Sequence, residues 1–401
     1  MSRHQRGMTL IELMVGLVVG MLLALAVFAI MAVAEGRRRA TTSVNTLNID
    51  GQFAIQLLDK WLRSAGSGFG QSASYAYGCQ LLAAKAGSQV LPRSDSLPAP
   101  FANVVPGTSN VFRLAPVVIL PDQTTPGEDG GLSSDVLVVM SGGGGGSSIP
   151  LTFTASPDTA ALNLVNTLAF SASDLVLVAD QQTSSTGISN CMVTQVASGV
   201  TGSTASALSL GGTYYTASSL EGTSLTSYTT DALAMNIGNV ALGSPPQLLV
   251  IGVGDLLTLY TYDLLQTSDD PLTPVATGVL EMRALYGIDT DADGKVDSWT
   301  GPTGSYAPSA LLDGSTTAAG TLQTIRAVRV GLILRTTLPE KVDSGKVITD
   351  QAISLFSDLR NASGASLKYT RSWQSSAEQT YRYRAIEATI PLRNSIILGA
   401  P

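Results

Sequence analysis

The first strong pattern in the chain is a long apolar segment near its N-terminus. No charged residue occurs in residues 13–34, a run of 22 residues. As a helix this run would be about 33 Å long, which is enough to cross the hydrocarbon core of a bilayer. A secretory signal peptide has a shorter apolar core followed by a small-residue cleavage site, so the run predicts a membrane-spanning helix instead.

A second helical pattern follows a short charged segment at residues 35–39. Its apolar residues recur with the i, i+3, i+4 spacing of one helix face, and they are Ala54, Leu57, Leu58, Trp61 and Leu62. Small and polar residues at 64–68 end the pattern. We therefore predict one long helix over residues 8–64, with its first half in lipid or a filament core and its second half packed on a globular head.

The remaining chain alternates short apolar runs with polar, turn-forming stretches. The β-branched content of these runs favours strands, predicted at 135–139, 174–178, 248–253, 256–262, 280–286, 325–335 and 382–391. Stretches rich in Ser, Thr and Gly predict long loops at 142–148, 183–189, 203–230 and 298–320. The predicted fold class is α+β, in which the long N-terminal helix packs on a large β-rich head formed by residues 65–401.

Charge is scarce in this chain. Charged residues make up 13% of the sequence, against about 25% in typical soluble domains. The formal net charge of −7 leaves no basic surface that could displace counterions from phosphates, so no nucleic-acid partner is expected. The hydrophobic content of 44% is adequate for a packed core.

Cys79 and Cys191 are the two cysteines of the sequence. Two thiolates do not complete a tetrahedral zinc site. In a polar chain with little charge, the pair favours a single disulfide formed in an oxidising compartment. Two unpaired buried thiols are the alternative.

A carboxylate stands at the start of the apolar segment. Glu12 is the fifth residue after the small residue Gly7. A carboxylate inside a membrane-spanning helix is costly and needs a partner or a position at the interface. In one interpretation Glu12 lies at the interface and reaches water. In the other, cleavage after Gly7 frees the amine of Met8, which pairs with Glu12 of a neighbouring copy or a related subunit.

The run Gly7-Met8-Thr9-Leu10-Ile11-Glu12-Leu13 resembles the class III signal of type IV prepilins. The resemblance implies that residues 1–7 are a leader, and that a dedicated prepilin peptidase cuts after Gly7 and methylates Met8. The mature chain would then hold no histidine, because His4 is the only one. Catalysis through histidine and histidine-ligated metal sites are thereby excluded, and we expect no enzyme activity.

The basic residues around the apolar segment conflict with this orientation. Arg37, Arg38 and Arg39 outnumber Arg3 and Arg6, so the positive-inside rule alone predicts the reverse orientation. The leader motif is more specific, because its cleavage site has to face a peptidase on the cytoplasmic side. We therefore predict that the basic triplet lies on the exported side close to the membrane, near lipid headgroups or acidic neighbours in a filament.

The most specific local chemistry is an acidic loop that follows a predicted strand. Aspartates stand at positions 1, 3, 5 and 9 of an EF-hand-like calcium loop, with glycine at position 6 and a backbone carbonyl at position 7. The residues are Asp289, Asp291, Asp293, Asp297, Gly294 and Lys295. Position 12, where a bidentate Glu is usual, is Thr300. We predict a Ca²⁺ site in a β context that lacks one strong ligand or takes it from elsewhere, and the alternative is a solvated Asp-Gly turn.

Three further segments are similar to the PilW family of minor pilins. They are the helix end at 62–66 followed by Gly78-Cys79, the run 285–289 that leads into the acidic loop, and the closing run 383–394. The resemblance implies a non-catalytic subunit that primes type IV pilus assembly. It would be a single-pass inner-membrane protein with its head in the periplasm, and would then sit at or near the pilus tip at the cell surface.

The partners that the resemblance implies are other minor pilins, the major pilin, a large tip adhesin, the prepilin peptidase and inner-membrane lipid. A minor pseudopilin of a type II secretion system would share the leader, the helix and the disulfide-bearing head, so it is the first alternative. A tip module for adhesion or DNA uptake is the second, while twitching motility belongs to the pilus interpretation.

Overall fold

A computed structural model of the chain describes residues 9–106, 111–127, 132–143, 149–180, 183–184, 187–266, 272–340, 349, 351–373 and 375–396. Its helices and strands are α1 Leu10–Ser64, α2 Ala73–Ala76, β1 Leu81–Lys85, β2 Ser88–Leu91, β3 Val117–Thr124, β4 Ser134–Ser141, β5 Leu151–Ala155, β6 Ala161–Leu164, β7 Asp174–Asp180, β8 Thr183–Ser184, β9 Gly187–Ile188, β10 Cys191–Gln195, β11 Ala207–Ser209, β12 Ala232–Asn239, β13 Gln247–Gly254, β14 Thr258–Asp263, β15 Thr273–Ala276, β16 Val279–Ile288, β17 Ser298–Thr300, α3 Pro308–Leu311, α4 Thr316–Gln323, β18 Ile325–Arg335, β19 Ile353–Leu355, β20 Tyr369–Arg371, β21 Tyr383–Pro391 and α5 Arg393–Ile396. The predicted α+β fold, a long helix on a large β-rich head, is confirmed.

Helix α1 has 55 residues and is therefore about 80 Å long. Its buried positions lie in the second half, at a spacing of three or four residues that places them on one face. They are Leu47, Gly51, Ala54, Leu58 and Leu62. Of the predicted stripe, Leu57 and Trp61 are only half-buried, because at about 100° per residue they lie about 100° and 60° around the helix axis from Leu58 in the middle of the buried face.

The head contains three main sheets among the described residues. Sheet A has the strand order β11-β6-β5-β12-β7-β10-β1-β2, sheet B has β15-β14-β13-β4-β3, and sheet C has β17-β16-β18-β21. The second half of α1 packs mainly on β21 and also touches β15 and β18. One continuous core lies between α1, sheets B and C and one face of sheet A.

Two polar segments cover the remaining sheet faces. The predicted loop at 203–230 closes a second core on the far face of sheet A by burying Leu208, Leu210, Leu220, Leu225 and Tyr228. The hairpin of β19 and β20 covers sheet C, where Leu355 and Phe356 enter a third core. Both segments are rich in Ser and Thr, but a few apolar residues spaced along them are buried and hold the segments against the sheets.

Several sequence-based predictions need correction, and the loops predicted at 183–189 and 203–230 contain the short strands β8, β9 and β11. The strand predicted at 256–262 begins at Thr258, because Leu256 and Leu257 both have positive φ and form the turn from β13 into β14. The loop predicted at 298–320 contains β17, α3 and the start of α4. Helix α4 forms because the side chain of Ser315 accepts a hydrogen bond from the N–H of Ala318, an N-cap that its short polar sequence conceals. Part of the predicted loop at 142–148 lies outside the described residues.

Gly51 is the point of closest approach between the helix and the head. A Cβ atom at this position would lie 2.2 Å from Cδ1 of Leu334 on β18 and 2.7 Å from Cδ1 of Ile386 on β21. The absence of a side chain therefore sets how deeply α1 docks on sheet C.

We expect Gly51→Leu to lower the free energy of unfolding of the full chain by about 1–3 kcal/mol through overpacking. The measurement is thermal unfolding in detergent. Gly20→Leu is the matched control, since a Cβ at Gly20 meets nothing within 4 Å and both changes favour the helix equally. Equal melting temperatures for the two variants would contradict the docking described here.

Candidate functional sites at the helix and the acidic loop

The N-terminus of α1 is closed by a capping box. Gly7 and Met8, the predicted processing residues, lie outside the described residues. The Oγ1 of Thr9 accepts a hydrogen bond from the N–H of Glu12 at 3.2 Å, and the N–H of Thr9 donates to Oε2 of Glu12 at 3.3 Å. The carboxylate of Glu12 is thus held beside the backbone of the residue that follows Met8.

The first half of α1 presents its apolar side chains to its surroundings. Residues 9–39 are all exposed in the isolated chain. Helix α1 is the one helix in the described part of the chain that is long and apolar enough to cross a membrane. An apolar patch of this size requires lipid or other apolar helices around it.

The two cysteines form a disulfide, as predicted. The Cα atoms of Cys79 and Cys191 are 5.6 Å apart. Cys79 precedes β1 and Cys191 begins β10, and these two strands pair in parallel. The bridge therefore fastens the segment after α1 to the interior strand β10 of sheet A.

The acidic loop connects the paired strands β16 and β17. Carboxylate oxygens of Asp289, Asp291 and Asp297 all lie within 4.8 Å of one another. Asp293 lies outside this group, because its carboxylate accepts hydrogen bonds from the backbone N–H and the Nζ of Lys295. Thr300, at the twelfth position, lies in β17 opposite Tyr286 and so belongs to the hairpin ladder.

Asp289 is the buried member of this group, with 2% of its surface exposed. Its Oδ2 accepts hydrogen bonds from Nε of Arg326 and from the N–H of Gly294, both at 2.9 Å. Burial raises the pKa of Asp289, but the hydrogen bonds from Arg326 and the backbone outweigh it and hold the pKa below its usual value. Its buried Oδ1 has no hydrogen-bond partner among the described residues.

The acidic loop is connected to the end of α1 through Arg326. The guanidinium of Arg326 also donates to the carbonyl oxygen of Ser395. The adjacent Asn394 donates from Nδ2 to the carbonyl oxygens of Ser64 at 3.2 Å and of Ala65 at 2.9 Å. The C-terminal segment thus supplies partners to carbonyls that a helix end leaves unsatisfied.

Two family profiles match the chain. The family described as Type IV Pilus-assembly protein W matches residues 236–394, and the Prokaryotic N-terminal methylation motif matches residues 2–28. These two matches support a PilW-family type IV pilin. No curated protein and no solved structure matches it.

The matched families point to a structural subunit of a type IV pilus, and they imply prepilin processing and contact with other pilus components. The processing signal and the exposed apolar half of α1 fit a pilin anchored in the inner membrane. The residues that match the PilW family include the acidic loop, sheet C and the Asn394 cap on α1, while the disulfide lies outside them.

The sequence reasoning missed a buried ionic network between sheets B and C. On β16, Glu281 accepts from Nη1 of Arg371 at 3.0 Å and from Nε of Arg283 at 2.6 Å. Arg283 extends to Asp135 of β4 at 3.1 Å and to Asp122 at 2.7 Å. The one available signal was the pair of charges at 281 and 283 within an otherwise apolar predicted strand.

We expect Arg371→Met to lower the free energy of unfolding by about 3–5 kcal/mol, because it removes one partner of a buried carboxylate. The double variant Glu281→Leu, Arg371→Met should lose less, since Arg283 keeps Asp122 and Asp135. Denaturant unfolding measures both.

Arg63→Met is the matched control, because Arg63 pairs with Asp59 on a partly exposed face of α1 and such pairs contribute less than about 1 kcal/mol. If Arg371→Met costs no more than Arg63→Met, the network does not stabilise the head.

Proposed function

We propose that this PilW-family protein is a minor pilin that primes assembly of the type IV pilus in the inner membrane and then occupies a position at or near the pilus tip. The observation that supports this most directly is the form of α1. Its first half is exposed and apolar, so it fits both a bilayer and the helical core of a filament. Its second half is fixed to the head by the buried stripe.

The size of the head supports a position at one end of the filament. Residues 65–401 follow α1 and build three main sheets with packed covers on two of them. A head of this bulk is poorly suited to repeat along a thin fibre, whereas a terminal position leaves it free space. Other minor pilins, the major pilin and a large tip adhesin are the partners that such a position requires.

The negative charge of Glu12 would determine which neighbouring helix α1 pairs with in the filament. In the isolated chain its carboxylate is bound by the Thr9 backbone. In the proposed assembly it pairs with the methylated amine of Met8 from a neighbouring subunit. Two opposite charges in an apolar filament core attract strongly and cost much when left alone.

We expect Glu12→Gln to leave cleavage after Gly7 intact but to keep the protein out of pili and to lower their number. Gln retains an oxygen for the capping box and removes only the charge. The measurement is expression in a strain that lacks the gene, with mass spectrometry of membranes and sheared pili and gold labelling of the head along each pilus. Thr9→Ala is the control, because it removes the capping hydroxyl and keeps the carboxylate.

Normal numbers of pili in the strain without the gene would exclude a priming role. Label distributed along the fibre would exclude the tip position. Lost protein secretion with normal pili would favour a minor pseudopilin, while lost adhesion or DNA uptake with normal pili would favour a tip-binding module.

We also propose that the acidic loop binds Ca²⁺ through Asp289, Asp291 and Asp297, with the carbonyl oxygen of Lys295. Among the described residues, the four aspartates pair with two cations there, Lys295 on Asp293 and Arg326 on Asp289. The buried Oδ1 of Asp289 is free to act as a ligand while Oδ2 keeps Arg326. A hard divalent cation would remove the remaining repulsion.

We expect Ca²⁺ to raise the melting temperature of the full chain in detergent, since it binds the folded state alone. Asp291→Asn should remove most of this increase. Asp293→Asn should retain most of it, because the carboxylate of Asp293 is engaged by Lys295. The absence of any increase in the unmodified protein, or an equal loss in both variants, would contradict the proposed site.

A further inference from the structure

A cleft lies where α1 leaves its charge-free segment and first meets the head. It has a volume of about 840 Å³ and separates residues 32–43 of the helix from residues 336–340 and Arg382 of the head. The described residues that line it include Ala32, Val33, Glu35, Arg37, Arg39, Leu338, Pro339, Glu340 and Arg382.

The lining of the cleft changes from apolar to basic along the helix axis. Ala32 and Val33 belong to the last turn of the apolar segment, and Arg37 and Arg39 follow within two turns. On the head side, Leu338 lines the cleft with 64% of its surface exposed. An exposed leucine beside the end of a membrane-spanning segment is suited to the boundary between headgroups and acyl chains.

The arginines of the cleft exceed its carboxylates. Arg39 pairs with Glu35 at 3.0 Å, and Arg382 pairs with Glu340 through Nη2 at 3.0 Å. Arg37 forms no ion pair with the described residues. Three arginines against two glutamates leave the positive charge of Arg37 for a bound anion.

The depth of Arg37 matches that of a lipid phosphate. It stands three residues after Ala34, which is about 4.5 Å further along the helix axis. A long arginine side chain at the end of an apolar span reaches into the headgroup layer. The cleft would therefore open at headgroup depth while Val33 still faces acyl chains.

We propose that this cleft binds the headgroup of an anionic phospholipid from the periplasmic leaflet, with the phosphate at Arg37 and the start of an acyl chain along Val33 and Leu338. The inference rests on the membrane-anchored stage of the proposed function. It also gives Arg37, one residue of the basic triplet that opposes the positive-inside rule, a defined ligand. The head would be held at one height above the membrane before assembly.

The test uses the full processed chain in bilayers that contain spin-labelled phosphatidylglycerol or phosphatidylcholine. We expect the protein to immobilise phosphatidylglycerol preferentially, and Arg37→Gln to reduce that preference about tenfold, because a charge-assisted hydrogen bond to the phosphate is lost. Arg38→Gln is the matched control, because it removes the same charge from the same helix but does not line the cleft. It should retain the preference.

Equal losses in the two variants would overturn the proposal in favour of diffuse electrostatic attraction. Competition by inorganic phosphate as effective as that by phosphatidylglycerol would overturn it in favour of a free-anion site. An unchanged lipid preference in Arg37→Gln, combined with its loss from pili, would assign Arg37 to an acidic neighbour in the filament and also overturn it.

A protease-protection assay on the same bilayers distinguishes failure of the lipid site from failure of the proposed membrane-anchored stage. Failure of the chain to insert with its head outside would count against the membrane-anchored stage itself. Correct insertion without a preference for phosphatidylglycerol would overturn only the lipid site.

Discussion

The structure depends on one constraint, which is that a single continuous helix has to serve two different environments. Residues 10–34 are exposed in the isolated chain, and each of their apolar side chains requires lipid or neighbouring helices, at about 25 cal/mol for each Å² removed from water. The second half of α1 meets the head along one narrow stripe. Because the helix does not break between them, whatever fixes the second half also fixes how far the head stands from the membrane or filament core.

The head fixes that second half with parts that are distant in sequence. Gly51 packs between Leu334 and Ile386 of sheet C. Asn394 donates hydrogen bonds to the last carbonyls of the helix. Arg326 joins this C-terminal segment to the acidic loop. A cation bound at the acidic loop and a force on the helix would therefore act on the same small group of contacts. Binding at the loop would in this way affect how firmly the head is held on α1.

The helices, strands and disulfide that the sequence predicted correctly are those whose residue patterns lie within one short segment or in the cysteine count. The helix, β18 and the disulfide follow from apolar spacing, β-branched content and the two cysteines. Strand β3 was missed because it contains Pro121 and Asp122, and the latter has a positive φ. Strand β12 was missed because it contains polar residues, and in the structure Asn236 and Asn239 both donate to the buried Asp174. The partners that make such residues acceptable in a core come from elsewhere in the chain, so no local pattern shows them.

Part of the scarce charge of this chain lies inside the head. Several of the few ionisable groups, among them Glu281, Arg371 and Arg326, are buried in networks that join the sheets to one another and to the C-terminal segment. Much of the surface is then left to Ser, Thr and Gly, which can pack against other subunits without a large desolvation cost. Against this background, the exposed carboxylates of the acidic loop and the arginines after the apolar segment are two local clusters of like charge. Selective interactions with ions and with charged membrane surfaces are therefore expected at those two places, one on each side of the contact between α1 and sheet C.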